Sequence, residues 1–168
     1  IVLAAMSMVD EGLLSQLTQA TRASGLSAMM LGVTLAQNPQ WVSRYQTTTQ
    51  VVVKLEEAGV TDLLQTLFLI HSFDLVNKLD TVTQAVAFYQ QVVKGECKTV
   101  LDLLDRLHQA PTRIQMGMGP FVAQTFRVML PKRLSTGQKV ELWGKFFAYF
   151  DRCHMPEVAL ECARAQQG

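Results

Sequence analysis

The sequence predicts an all-α fold: a single domain of 168 residues built as a bundle or irregular stack of about eight or nine helices. Three observations lead there. Gly and Pro recur roughly every 12 to 20 residues. Between them, apolar residues mostly repeat at three- and four-residue spacing, and no alternating run long enough for a confident strand is present.

The elements follow in order. Asp10 can cap a helix with Leu13, Leu14, Leu17 and Ala20 on one face, stopped by Gly25, and a short helix follows over Leu26–Ala36. Asn38-Pro39 marks a turn. Trp41, Tyr45, Thr48, Val52 and Leu55 then define an amphipathic helix that runs to Gly59. Thr61 or Asp62 caps the next helix, which reaches Val76 and has so little polar face that it is expected to be the most buried element. Asp80 or Thr81 opens a helix with Val82, Ala85, Val86, Tyr89, Val92 and Val93 inward, ending at Gly95.

Val100, Leu101, Leu104 and Leu107 line the following helix, which Pro111 terminates. The run Met116-Gly117-Met118-Gly119-Pro120 is expected to break regular structure, with a helix resuming from Phe121 to Leu130. Pro131–Gly137 reads as a basic loop. After it, Val140, Trp143, Phe147 and Phe150 form one stripe beside Leu142, Phe146 and Tyr149. Met155-Pro156 ends that helix, and Pro156 fits the first turn of a last one through Val158, Leu160, Cys162 and Ala163.

Apolar residues make up 49% of the chain and charged residues 17%, below the roughly 25% of ordinary domains. Either Gln, Thr and Ser solvate the surface, or apolar faces are covered by a second copy, a partner, or the rest of a longer chain; the start at Ile1 fits excision from one. Residues 1–80 carry a net charge of −3 and residues 81–168 a net charge of +4, an asymmetry that solvated faces explain or that steers association. Cys97, Cys153 and Cys162 lack a disulfide-framework spacing, which points to reduced thiols in an intracellular, cytoplasmic setting. Asn38 and Pro39 interrupt the uncharged run after Ala23, and Ile1–Met8 lacks a basic n-region, so neither a transmembrane segment nor a complete signal peptide is expected.

Asp105-Arg106-Leu107-His108 and Asp151-Arg152-Cys153-His154 place carboxylate and imidazole on one helical face twice. Paired carboxylate-x-x-His motifs resemble those of di-iron four-helix proteins, which would make Asp105, His108, Asp151 and His154 metal ligands; yet no Glu-x-x-His occurs. The alternative is that both histidines sit at helix C-termini, favoured by the dipole. His71 lies on the stripe of Leu64, Phe68 and Leu75 and is expected to be a core or pocket histidine. Cys97, followed by Lys98, has no readable Cys–His arrangement around it. Lys132, Arg133, Lys139 and Lys145 form a basic patch beside aromatics. The Leu26–Ala36 segment has no Lys or Arg with which to enter a DNA groove, which argues against a helix-turn-helix; nucleic-acid binding through residues 127–145 is a third reading, set below a solvated basic loop, so nucleic acid is not the expected partner. Ala85–Tyr89 and Glu157–Glu161 resemble the second helix of tetratricopeptide hairpins, but the helices before them lack the rest of that motif.

The functional expectation is therefore a protein–protein interaction domain, an adaptor, scaffold or assembly subunit without cofactor or catalysis. Its anchors would be Trp143, Phe146, Phe147, Phe150, Met116, Met118 and Trp41. The alternative is a helical domain holding a small ligand or metal, with an enzymatic role open to it.

Overall fold

The computed structural model describes residues 42–167. The expected helices before Asn38, and Trp41 itself, lie outside the described residues. Within them the chain is all-α, with eight α-helices, one 3-10 turn and no strand. The chain divides into two compact units, residues 1–86 and 87–168.

In the first unit, α1 (Val42–Glu57) and α2 (Leu63–Phe73) bury Val51, Val52 and Leu55 on one side and Leu67, Phe68, Leu69 and Ile70 on the other. Asp62 is the α2 cap: its Oδ1 accepts the Leu64 and Gln65 amides at 2.9 and 3.1 Å, satisfying two of the four orphan donors. The helix stops at Phe73, three residues before the expected end, because Asp74 turns left-handed (φ 50°). A 3-10 turn (Leu79–Thr81) leads into α3 (Val82–Lys94), whose Val82 and Ala85 are buried. His71 is exposed, so it is not the core histidine its stripe suggested.

In the second unit, the remainder of α3 is followed by α4 (Cys97–Gln109), α5 (Thr112–Gly117), α6 (Gly119–Met129), α7 (Thr136–Arg152) and α8 (Pro156–Gln167). On α4 the inward stripe is Val100, Leu103, Leu104 and Leu107; Leu103 takes the fully buried place expected of Leu101. The expected break at Met116–Pro120 narrows to one residue. Met118 (φ −81°, ψ 0°) closes α5 and opens α6, while Pro120 falls in the first turn of α6, where its missing N–H costs nothing. Ser135 and Gln138 form a reciprocal capping box that starts α7.

Phe126 of α6 is the centre of this unit's core. Its ring meets Trp143, Phe146 and Phe150 of α7 edge-on, at centroid distances of 5.4, 5.3 and 5.8 Å. Edge-to-face pairs of this kind contribute about 0.5–1.5 kcal/mol each beyond their burial.

Four helices end by the same device. The residues after α1, α2, α3 and α7 (Gly59, Asp74, Gly95 and His154) are left-handed, and the next amide bonds back to the carbonyl five residues earlier. Val60 and Leu75 then drop into the core. At Gly95 (φ 77°) a Cβ would also lie 2.9 Å from Val128 Cγ1, and Lys132 Nζ donates to the Lys94 carbonyl at 3.0 Å, closing the end of α3. His154 (φ 56°) bears the left-handed cost with a full side chain. His154→Gly is therefore expected to raise unfolding free energy by up to about 1 kcal/mol. Gly95→Ala should lower it by more than about 1 kcal/mol, and Phe126→Ala by about 3–5 kcal/mol, all read from urea titrations at constant m.

Candidate interaction surface

Helix α7 has two faces of opposite character. Leu142, Phe146, Tyr149 and Phe150 are fully buried and Trp143 is only 4% exposed, so most of the aromatic anchors expected from the sequence are core. The physical reason is their common face: a helix that turns one of them inward turns all of them inward. Met118 is buried as well, whereas Met116 is 47% exposed. Phe147 alone of the expected α7 anchors reaches solvent, at 38%.

The outward face is Gly137, Val140, Gly144, Phe147, Ala148 and Asp151, following the same three- and four-residue steps. Val140 is 66% exposed. A Cβ added at Gly137 or Gly144 would meet nothing within 4 Å. Solvent-facing positions of a helix ordinarily carry Lys, Glu or Gln. Here two apolar side chains are separated by bare backbone, with Glu141 and Asp151 the nearby acids. Gly144 in a helix interior costs roughly 0.5–1 kcal/mol relative to Ala, and no packing within the described residues requires it.

Beside this strip, Thr136, Lys139, Val140 and the edge of Trp143 line an open cleft of about 330 Å³ together with Ala165, Gln166 and Gln167 of α8. The cleft exists because α8 lies close along α7, with Cys162 Sγ donating to the Trp143 carbonyl at 3.2 Å. Burial pushes the Cys162 thiol up to about 11, opposed by a backbone hydrogen bond from Phe147.

The basic patch is not one surface for an anion. Lys132 closes α3, and Lys145 Nζ bonds Asp105 Oδ1 at 2.7 Å, with Glu141 at 3.7 Å; the Asp105 bond raises the lysine pKa. Arg133, just before α7, and Lys139, in its first turns, are exposed without an ion pair among the described residues. The Asp-x-x-His repeats are likewise not gathered. Asp105 is bound to Lys145, His108 and His154 are exposed, and no group of three or more His, Cys, Asp or Glu among the described residues is placed to hold a metal.

What those repeats do instead is frame Gln115, a residue the sequence did not single out. Its Nε2 donates to the carbonyls of His108 and Ala110 at 2.9 and 2.8 Å, and its Oε1 accepts from Arg152 Nε at 3.2 Å. Its backbone carbonyl receives the Tyr149 hydroxyl and, at 3.8 Å, the Cys153 thiol. The C-terminal ends of α4 and α7 are thereby tied to α5. Burial first, and then neighbouring Cys153, push the Tyr149 phenol far above its ordinary range. Cys97 is half-buried, and burial, Glu96 and Glu141 together raise its thiol pKa, the opposite of an activated nucleophile.

Comparison of the chain with protein-family models, with curated proteins and with solved structures finds no match in any of the three.

Two measurements test this geometry. Gln115→Ala removes three side-chain bonds, one of them fully buried, and should cost about 1–3 kcal/mol; Tyr149→Phe should cost about 1 kcal/mol. The thiol of Cys162 and the phenol of Tyr149 both titrate higher in the folded than in the unfolded chain, so the folded state retains their protons longer. The stability they add is present below about pH 8.5 and about pH 10, the unfolded values, and is lost as pH rises through the folded ones. The urea midpoint should fall between about pH 9 and about pH 11, and Cys162→Ala should flatten the first part of that fall.

Proposed function

We propose that this chain is a protein–protein interaction domain, an adaptor, scaffold or assembly subunit that works by binding rather than by catalysis. The observation that carries the reading is the outward face of α7. Val140 and Phe147 stand exposed one helical heptad apart across Gly144, beside a cleft that can receive a partner's side chain. Removing such apolar surface from water contributes about 25 cal/mol per Å², and aromatic side chains are enriched among the contacts that dominate interfaces.

The electrostatic setting supports protein over nucleic acid as the partner. Of the four basic residues near this face, Lys132 and Lys145 are already engaged within the unit. Counterion release by the remaining two would add little affinity for a phosphate backbone. The three free thiols, two of them buried, fit a reducing compartment, and we place the protein inside the cell. No described helix is long and apolar enough to cross a membrane.

Site-specific photocrosslinking in the cell of origin tests the reading. A benzoylphenylalanine at position 147 or 140 of the full chain should give a crosslinked protein species of defined mass. The same probe at Gln90, on an exposed position of α3, should not give it. Absence of any protein crosslink from both α7 positions would overturn the proposal.

A further inference from the structure

The α7 face carries information about what covers it. Val140 and Phe147 lie four and three residues on either side of Gly144, and Gly137 and Asp151 each lie seven residues away. The strip is therefore nearly symmetric about Gly144 in position and opposite in charge at its two ends. At one end, the Thr136 and Gly137 amides are first-turn donors without an acceptor among the described residues, and Arg133 and Lys139, close in sequence, have no ion pair among those residues either. At the other end, Asp151 is exposed, without an ion pair among the described residues, on the turn where the helix dipole is negative.

We propose that the occupant is a second copy of this chain, its α7 packed antiparallel against the first with the two Gly144 residues at the crossing. The inference rests on the interaction reading above and names its partner. In that register residue i faces residue 288 − i, a sum set by Gly144. Asp151 then falls opposite Gly137, so its carboxylate meets open first-turn amides that no side chain shields. The same contact is made twice by symmetry, and the two helix dipoles run antiparallel. Val140 seats between Phe147 and Ala148 of the other copy, while the bare backbone at Gly144 lets the axes approach closely. A foreign helix could use the apolar strip alone, but it is self-association that matches acid to amide at both ends.

A helix of 17 residues offers a contact roughly 25 Å long. That lies at the small end of specific interfaces, so the dimer should be concentration-dependent. Sedimentation velocity of the full chain from about 1 μM to about 200 μM should show a monomer–dimer equilibrium. Val140→Glu should abolish dimerisation without lowering the thermal midpoint read at the dilute end of the series, where the unaltered chain is monomeric, since that side chain has no core role. Asp151→Asn should weaken it about two- to five-fold. Under mild oxidation Gly144→Cys should form a covalent dimer, whereas Val140→Cys should not, its two copies lying roughly 12 Å apart along the axis. Gln90→Cys and the unaltered chain control for adventitious disulfides, including those through Cys97.

A chain that stays monomeric throughout the series, or a dimer that survives Val140→Glu, overturns the self-association proposal. A monomer whose position-147 probe still captures a different protein leaves the interaction reading standing. If that probe captures no protein either, both readings fail. A Gly144→Cys chain that remains uncrosslinked while Val140→Cys crosslinks excludes the antiparallel register.

Discussion

The insertion of Phe126 between Trp143, Phe146 and Phe150 fixes the second unit. Three edge-on ring contacts to one helix leave α7 no freedom to rotate about its axis: a one-residue turn of about 100° would carry buried rings into water. The character of the opposite face is thus not an incidental surface detail. With the aromatic side committed to Phe126, Val140, Gly144 and Phe147 have to point outward, and their exposure follows from the same constraint that builds the core.

Aromatic packing sets rotation but is poor at setting axial position, because dispersion is non-directional. Directional groups supply that restraint. Gln115 holds the end of α4 through two carbonyls and the end of α7 through Arg152, while its own carbonyl receives Tyr149. The Lys145–Asp105 bond fixes α7 against α4 a second time. Such rigidity would serve the proposed interaction, since loops or side chains that must be ordered on binding subtract from affinity.

Helix positions were legible in the sequence wherever backbone chemistry is local. Asp62 as a cap, Gly59 and Gly95 as stops, and Pro156 in a first turn all act within four residues of themselves. Asp74 and His154 end helices by the same left-handed geometry, which the sequence does not signal at these positions because only a minority of Asp and His residues adopt it. The Met116–Pro120 run looked like a break from composition, but Pro120 falls where a helix tolerates it. For the surface, periodicity put Val140, Trp143, Phe147 and Phe150 on one stripe, but the structure splits it, burying Trp143 and Phe150 and exposing Val140 and Phe147; nothing in a single sequence says which edge of a broad stripe meets Phe126. Lys132, Arg133, Lys139 and Lys145 were neighbours in sequence, but two of their charges are spent on Lys94 and Asp105, partners 38 and 40 residues away.

The low charge content of the chain now has a local meaning. A bundle whose apolar residues were all consumed by its core would still need charged outward positions for solubility, and α7 has the chance to place them at 137, 140, 144, 147 and 148. It places Gly, Val, Gly, Phe and Ala there instead, accepting the entropic cost of two helical glycines whose absent side chains no described neighbour requires. Lys or Glu at position 144 would remove that cost and improve solvation at once, so neither stability nor solubility accounts for glycine there. The proposed close approach by another backbone would account for it, because the distance between packed helices is set by the side chains at their crossing.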